Sequence, residues 1–148
     1  MPKTIALVSC VSKKINKQSP AKELYRSDWF NKASRYAESI SDKWYILSAK
    51  YGLLSPEQLI SPYNETLNRM PIGKRRDWAH DVCEDLGGIL STGDRVIILA
   101  GVKYREFLVD PILQLGCEVE IPMEGLKIGE QLSWLKKQLE MSNDQSQI

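Results

Sequence analysis

Four short apolar runs constrain the fold more than any other feature of this sequence. Each run is rich in β-branched or aromatic residues and lacks the polar alternation of a half-exposed strand, which is typical of strands covered on both faces. We predict strands at Thr4 to Val8, Trp44 to Leu47, Val96 to Leu99 and Val119 to Ile121. Strands of this kind need helices on both sides of the sheet.

Segments with apolar residues at three-and-four spacing supply those helices. They run from a cap at Ser27 or Asp28 to about Ile40, from Lys74 to Leu90, from about Lys103 to Leu115 and from about Gly129 to Met141. Pro111 should kink or divide the third helix. The alternation of strands and helices predicts an α/β layered domain with a mainly parallel four-stranded sheet flanked by helices.

The chain of 148 residues has the size of one domain. We assign residues 1–141 to a single α/β domain and expect residues 142–148 to form a frayed tail, because they show no apolar period. The stretch from Leu53 to Ile72 contains three prolines, which exclude a long helix, and we interpret it as an ordered excursion or lid.

Composition excludes several classes of protein. Twenty Lys and Arg against nineteen Asp and Glu give a net charge of +1, so nucleic-acid binding would require a local patch. Three scattered cysteines argue against a disulfide framework and favour a reducing, cytoplasmic location. No apolar run approaches the ~18 residues of a membrane span. A single histidine makes a structural zinc site improbable, and the sequence predicts no metal and no cofactor.

The candidate site follows from the topology, because ligands of parallel sheets bind outside the carboxyl ends of the strands. Small and polar residues follow each predicted strand. The candidates are Ser9, Cys10, Ser12 and Lys13 after the first strand, Lys50, Tyr51 and Gly52 after the second, Gly101, Tyr104 and Arg105 after the third, and Glu124 after the fourth.

Each candidate has an alternative explanation. The Ser9–Lys13 segment is either an anion cradle or a solvated strand exit. Cys10 is a nucleophile or, more commonly for a buried thiol, a small hydrophobic residue. Gly101 lets a ligand approach the backbone or simply begins a helix. Three tyrosines, Tyr51, Tyr63 and Tyr104, could stack on a base, whereas the four tryptophans fall on core faces and indicate packing.

Several motifs together resemble a small bacterial and phage family of unassigned function. The hallmark is Leu47-Ser48-Ala49-Lys50-Tyr51-Gly52-Leu53-Leu54, followed by Pro56 and by Ile60-Ser61-Pro62-Tyr63. Further matches are Ser9-Cys10 with Lys13, Trp78-Ala79, Leu99-Ala100-Gly101 with Tyr104-Arg105, and Pro122-Met123-Glu124-Gly125-Leu126 leading into Ile128-Gly129-Glu130-Gln131-Leu132. The family is distantly similar to the YaaA-like DNA-binding proteins.

A more remote similarity reaches the uracil-DNA-glycosylase-like superfamily, which includes the core domain of archaeosine synthase. This resemblance implies a uracil-DNA-glycosylase-like fold with a pocket that recognises nucleobases, often modified ones, in DNA or RNA. One position departs from the pattern, since Asn64 follows Tyr63 where the resemblance leads us to expect Asp. Asn64 could still hold a water or a base edge.

Our leading hypothesis is a DNA glycosylase that excises a modified nucleobase, with defence against phages carrying altered DNA as a fitting role. Glu124 would act on the sugar side or activate water, Asn64 would position the base or water, and Lys50 and Arg105 would balance charge on the leaving group or a phosphate. Ser9, Ser12 and Lys13 would bind backbone phosphates. The alternatives are a non-enzymatic YaaA-like DNA-binding protein and a base-modifying transferase related to archaeosine synthase.

Overall fold

The computed structural model describes residues 2–10, 17–25 and 27–146, with the backbone alone for residues 142–146. One five-stranded sheet organises the chain. Its strands are β1 (Thr4–Ser9), β3 (Lys43–Ser48), β4 (Gly52–Leu54), β6 (Arg95–Leu99) and β7 (Glu118–Glu120). They lie side by side in the order β4-β3-β1-β6-β7. A two-residue ribbon pairs β2 (Ser19–Pro20) with β5 (Leu59–Ile60). All four strands predicted from apolar runs are present.

Helices cover this sheet. They are α1 (Ala21–Leu24), α2 (Asp28–Ile40), α3 (Ile72–Gly87), α4 (Val102–Arg105), α5 (Val109–Gln114) and α6 (Ile128–Ser146), with a 3₁₀ turn at Leu67–Arg69. The Ser27 hydroxyl accepts the backbone N–H of Phe30 and so caps α2, as predicted. None of the helices formed by the described residues is both long and apolar enough to cross a membrane.

Strand β1 is the centre of the sheet and is buried from Ile5 onward. It pairs in parallel with β3 on one side and with β6 on the other, and β6 pairs in parallel with β7. The chain therefore moves outward from β1 in one direction to β3 and then returns past β1 to β6. Right-handed crossovers place α2 and α3 on opposite faces after such a reversal. Helix α2 packs on β1 and α6, and α3 packs on β4 and α4.

The sheet has five strands where the apolar runs predicted four. The additional strand, β4, lies at the edge and pairs with β3 antiparallel, so the sheet is mainly rather than wholly parallel. It was missed because it has only three residues, overlaps the start of the proline-containing stretch and follows β3 by a tight turn. Gly52 makes this turn possible with its φ of +74°, which side-chain-bearing residues rarely adopt.

The third predicted helix is divided into α4 and α5, as Pro111 led us to expect. The break falls between Arg105 and Val109, so Pro111 lies in the first turn of α5. An N–H there has no partner within the helix, so proline is tolerated. Helix α6 extends to Ser146, since no glycine or proline stops it. The fraying expected of residues 142–148 stays a prediction.

The amino edge of the sheet is held by a buried carboxylate. Asp94, whose side chain is 1% exposed, accepts hydrogen bonds from the Lys3 ammonium at 2.6 Å, the Lys3 backbone N–H at 2.9 Å and the Ser91 N–H at 2.8 Å. These bonds, that from the Lys3 ammonium above all, lower the pKa of Asp94 to about 2. Asp94 thus ties the beginning of β1 to the beginning of β6.

We predict that Asp94→Asn destabilises the fold at neutral pH and weakens its acid sensitivity. Because the pKa of Asp94 is about 2 in the folded state and lies near 4 in the unfolded state, its stabilisation is present above pH ~4 and is lost as the pH falls towards 2. Urea unfolding from pH 7 to pH 2 measures this.

The matched control is Asp81→Asn, at an exposed position of α3 for which no hydrogen bond or ion pair is found within the described part of the chain. Its unfolding should follow the wild-type pH profile. A wild-type profile for Asp94→Asn between pH 4 and pH 2 would contradict the role of this carboxylate.

Candidate active site

The four parallel strands bring the predicted exits to one edge of the sheet. Ser9 ends β1, Ser48 ends β3, and Ala100 and Ile121 directly follow β6 and β7. Neighbouring strands lie ~4.8 Å apart, so the exits of β3 and β7 are separated by roughly 14 Å. The candidate site lies at this carboxyl edge.

At the centre of the edge, Cys10 contacts Tyr104. The Cys10 backbone N–H donates to the carbonyl of Leu47 at 2.9 Å and so extends the pairing of β1 with β3 by one residue. Its Sγ lies 3.3 Å from the Tyr104 hydroxyl, which comes from α4 beyond β6. This contact bridges the point at which the chain reverses direction across the sheet, where ligands of such sheets usually bind. The Cys10 side chain is buried, 8% of the residue being exposed.

The Tyr104 hydroxyl also holds the loop that precedes α3. It accepts the backbone N–H of Leu67 at 3.4 Å and lies 3.4 Å from the Thr66 hydroxyl. The neighbouring Lys103 ammonium donates to the Asn68 carbonyl at 3.1 Å. Helix α4 therefore fastens residues 66–68 over the carboxyl ends of the central strands.

A second hydroxyl network lies beneath the exit of β3. The Ser48 hydroxyl donates to the Tyr63 hydroxyl at 2.7 Å and accepts the backbone N–H of Tyr51 at 3.0 Å. The Tyr63 hydroxyl is in turn 2.5 Å from that of Tyr25. From the other face, the indole N–H of Trp78 donates to the Ser48 carbonyl at 2.8 Å. Buried groups thus hold both ends of the turn after β3, at Ser48 and at the Tyr51 N–H.

Burial raises the pKa of the Tyr25, Tyr63 and Tyr104 hydroxyls well above the ordinary tyrosine value, and the nearby Cys10 thiol adds to the effect. These phenols are neutral at physiological pH and serve as hydrogen-bonding groups. Tyr63 and Tyr104 are each 7% exposed, so their rings are covered by the protein. Of the three tyrosines considered for base stacking, Tyr51 alone has an exposed ring, at 36%.

A cavity of about 330 Å³ opens between the exits of β6 and β7. Its walls are mixed: Ile98, Val102, Ile121 and Met123 contribute apolar side chains, and Arg105 and Gln131 are the polar side chains among the described residues that line it. Gly101 lies at the wall, and a Cβ built there would meet nothing within 4 Å, so the glycine leaves space open. Gly125, with a φ of +83°, turns the chain between Glu124 and α6.

Among the described residues, Arg105 is the cation that lines the cavity, and a carboxylate lies beside it. Arg105 donates from Nη1 to the Ala100 carbonyl at 3.1 Å, and its Nη2 lies 3.9 Å from Oε2 of Glu124. The Arg105 side chain is 14% exposed, whereas that of Glu124 is 64% exposed. Glu124 therefore lies at the rim, where water reaches it, and partly balances the guanidinium charge.

The other exposed candidates lie on the β3 side of the edge. The Lys50 ammonium lies 5.4 Å from the centroid of the Tyr51 ring, and Asn64 is exposed on the loop that Tyr104 fastens. The candidates nearer the surface form two groups. The exposed group near β3 comprises Lys50, Tyr51 and Asn64, and the group around the cavity comprises Gly101, Arg105 and Glu124. Ser9, Cys10, Tyr63 and Tyr104 are buried. Ser12 and Lys13 lie outside the described residues.

Sequence reasoning missed Gln131, Ser48 and Thr66 as parts of this region. Ser48 and Gln131 lie inside motifs that carry the family resemblance, which was the available signal. Thr66 offered none, since its role depends on the fold of the loop. Within the ranges that the structure describes, no three His, Cys, Asp or Glu side chains are grouped to hold a metal ion.

The fold and the edge define an α/β protein with a ligand-sized cavity at the carboxyl ends of parallel strands. The chain belongs to a family of unknown function, DUF6884, whose model matches residues 5–137. It is 28% identical over 151 residues to the uncharacterized protein YfjM of Bacillus subtilis (strain 168), covering 96% of this chain and 99% of that protein. No solved structure matches the chain.

We predict that Tyr104→Phe lowers the free energy of unfolding by about 1–2 kcal/mol, because it leaves the buried Leu67 N–H and Cys10 thiol without their hydroxyl partner. Chemical denaturation measures the change. Tyr45→Phe is the control, since no hydrogen bond of the Tyr45 hydroxyl is found within the described residues, and it should change the value by less than about 0.5 kcal/mol. Equal effects of the two substitutions would exclude a special contribution from the Tyr104 hydroxyl.

Proposed function

We propose that this protein is a DNA glycosylase that excises a modified nucleobase bound in the cavity between β6 and β7. The observation that carries the proposal is the pairing of Arg105, which lines the cavity, with Glu124 at its rim. A glycosylase needs one group to stabilise the departing base and another to act at the sugar. The two groups lie 3.9 Å apart at the edge where such sheets bind ligands.

The size and walls of the cavity suit a single base taken out of the helical stack. A volume of about 330 Å³ falls within the range of ~300–1,000 Å³ found for small-molecule sites. Aliphatic walls at Ile98, Val102 and Ile121 favour a flat, largely uncharged ring. Enzymes that act on bases extrude the nucleotide into such a pocket.

The reaction assigns one role to each charged group. Water bonds to C1′ of the sugar as the bond from C1′ to the base breaks, and the base leaves with the bonding electron pair. Glu124 accepts a proton from the water and opposes the positive charge that develops on the sugar. The guanidinium of Arg105 stabilises the negative charge on the base until it takes up a proton from solvent.

The exposed group near β3 would contact the rest of the nucleotide strand. Lys50 and Tyr51 offer an ammonium and an aromatic ring that a phosphate and a neighbouring base could contact. Asn64 would position a water or a base edge from the fastened loop. Buried Tyr63 and Tyr104 support this surface from below rather than stacking on the base.

The resemblance to the uracil-DNA-glycosylase-like superfamily supports the same reaction class. The expected partner is DNA containing modified bases, and defence against phages with altered DNA is the biological role that fits such a substrate. A YaaA-like protein that binds DNA without turnover, and a transferase related to archaeosine synthase, would use the same pocket. Release of free base into water separates the glycosylase from both.

We predict that Glu124→Gln reduces the rate of base release about a hundredfold or more while DNA binding is kept, because the amide preserves size but removes the proton acceptor and the charge. The measurement is formation of alkali-labile abasic sites on DNAs with different modified bases. Wild type and variant are compared at equal bound fraction, with mass analysis of the released molecules.

Glu140→Gln is the matched control, because Glu140 is an exposed glutamate on α6 and the charge change is identical. It should release base at the wild-type rate. Full activity of Glu124→Gln would remove Glu124 from the reaction, and the absence of abasic sites with every modified DNA would leave the binding-only protein or the transferase.

A further inference from the structure

The amide of Gln131 is held in one orientation at the cavity wall. Its Oε1 accepts the indole N–H of Trp29 at 2.9 Å, and its Nε2 donates to the Leu126 carbonyl at 2.8 Å. An indole N–H can only donate and a carbonyl can only accept, so these two partners decide which end of the amide is oxygen. Gln131 cannot flip without losing both bonds.

This arrangement leaves one hydrogen on Nε2 and one lone pair on Oε1 for a further partner. Gln131 lines the cavity together with Arg105, whose guanidinium offers donors only. A ligand that bonds to Arg105 presents acceptors to it, and one that uses both remaining positions of the Gln131 amide presents an acceptor beside a donor. Because Glu124 partly balances the Arg105 charge, a neutral ligand fits better than an anion.

From these groups, and resting on the proposed function, we infer that the base bound in the cavity is a 6-oxopurine of the guanine type and that Gln131 determines this specificity. Guanine presents O6 and N7 as two acceptors, the pattern that arginine recognises in bidentate fashion. On the adjoining edge, O6 accepts and N1–H donates, which complements the free hydrogen and lone pair of Gln131. Adenine places a donor where O6 lies and offers no N1–H.

Trp29 is the positioning residue for this recognition. It lies on α2, does not line the cavity, and donates its indole N–H to Gln131. Trp29→Phe keeps an aromatic ring in the interface of α2 with α6 but removes the N–H. The amide of Gln131 would then be held by one bond and free to rotate.

Equilibrium titration with 2′-deoxyguanosine, 2′-deoxyinosine and 2′-deoxyadenosine tests the inference. The wild type should bind deoxyguanosine and deoxyinosine about tenfold more tightly than deoxyadenosine, since both keep O6, N1–H and N7. Gln131→Met, of similar size, should reduce that ratio about tenfold. Trp29→Phe alone should reduce the affinity ratio about threefold. When it is added to Gln131→Met, the ratio should not change further.

Trp134→Phe is the control, because Trp134 also lies between α6 and α2, 5.1 Å from the Tyr36 ring, without lining this cavity. Its nucleoside ratio should equal that of the wild type. Equal binding of the three nucleosides by the wild type, no binding of any of them at millimolar concentration, or an unchanged ratio in Gln131→Met would each overturn the inference.

The same experiments distinguish this inference from the reaction proposed above. Abasic-site formation that depends on Glu124, without discrimination between the nucleosides, would overturn the guanine-type specificity and leave the glycosylase. Discrimination that depends on Gln131, without abasic sites on any DNA, would support the pocket assignment and overturn the glycosylase.

Discussion

The parallel pairing of β1 with both of its neighbours is the constraint from which the remaining structure follows. Because β3 and β6 both run parallel to β1, the chain must reverse its direction of travel across the sheet, and the exits of all these strands face the same edge. Cys10 and Tyr104 meet across that reversal at 3.3 Å. The cavity beside β6 and the exposed group beside β3 are consequences of this order.

The carboxyl edge combines a buried hydrogen-bonded interior with charged groups nearer the surface. Buried hydroxyls of Ser48, Tyr63 and Tyr104 satisfy one another and the surrounding backbone, and among the described residues no buried side-chain nitrogen or oxygen lacks a hydrogen-bond partner. Satisfied polar networks of this kind rigidify the structure around them. Arg105 and Glu124, the ionisable groups on which the proposed reaction depends, are more exposed than this network, at 14% and 64% of their side chains.

The sequence predicted those parts of the structure that depend on local pattern. Buried strands such as β1 and β6 are recognisable because their apolar runs do not alternate, and Ser27 is recognisable as a helix cap by its position. The edge strand β4 could not be predicted in this way, since three residues that begin with the turn glycine carry too little periodicity. The division before α5 was predictable, because proline is tolerated in the first turn of a helix and not in its interior.

The sequence predicted which edge of the sheet carries the candidate residues, but not which of them are buried and which are exposed there. The rule that ligands bind at strand exits selected Gly101, Arg105 and Glu124. It could not reveal that the rings of Tyr63 and Tyr104 are covered, because burial depends on the loop folded over them. The motif containing Gln131 was recognisable, but the orientation of its amide was not, since that depends on Trp29 on a distant part of the chain.

The central claim is that a base binds between the exits of β6 and β7, and amide chemical shifts test it most directly. Uniformly ¹⁵N-labelled protein would be titrated with 2′-deoxyguanosine. The account predicts saturable shifts at Gly101, Val102 and Gly125, with the amides around Asp94 at the opposite edge unchanged. Saturable shifts centred on another surface, such as the groove of His80 and Cys83 beside α3, would contradict it.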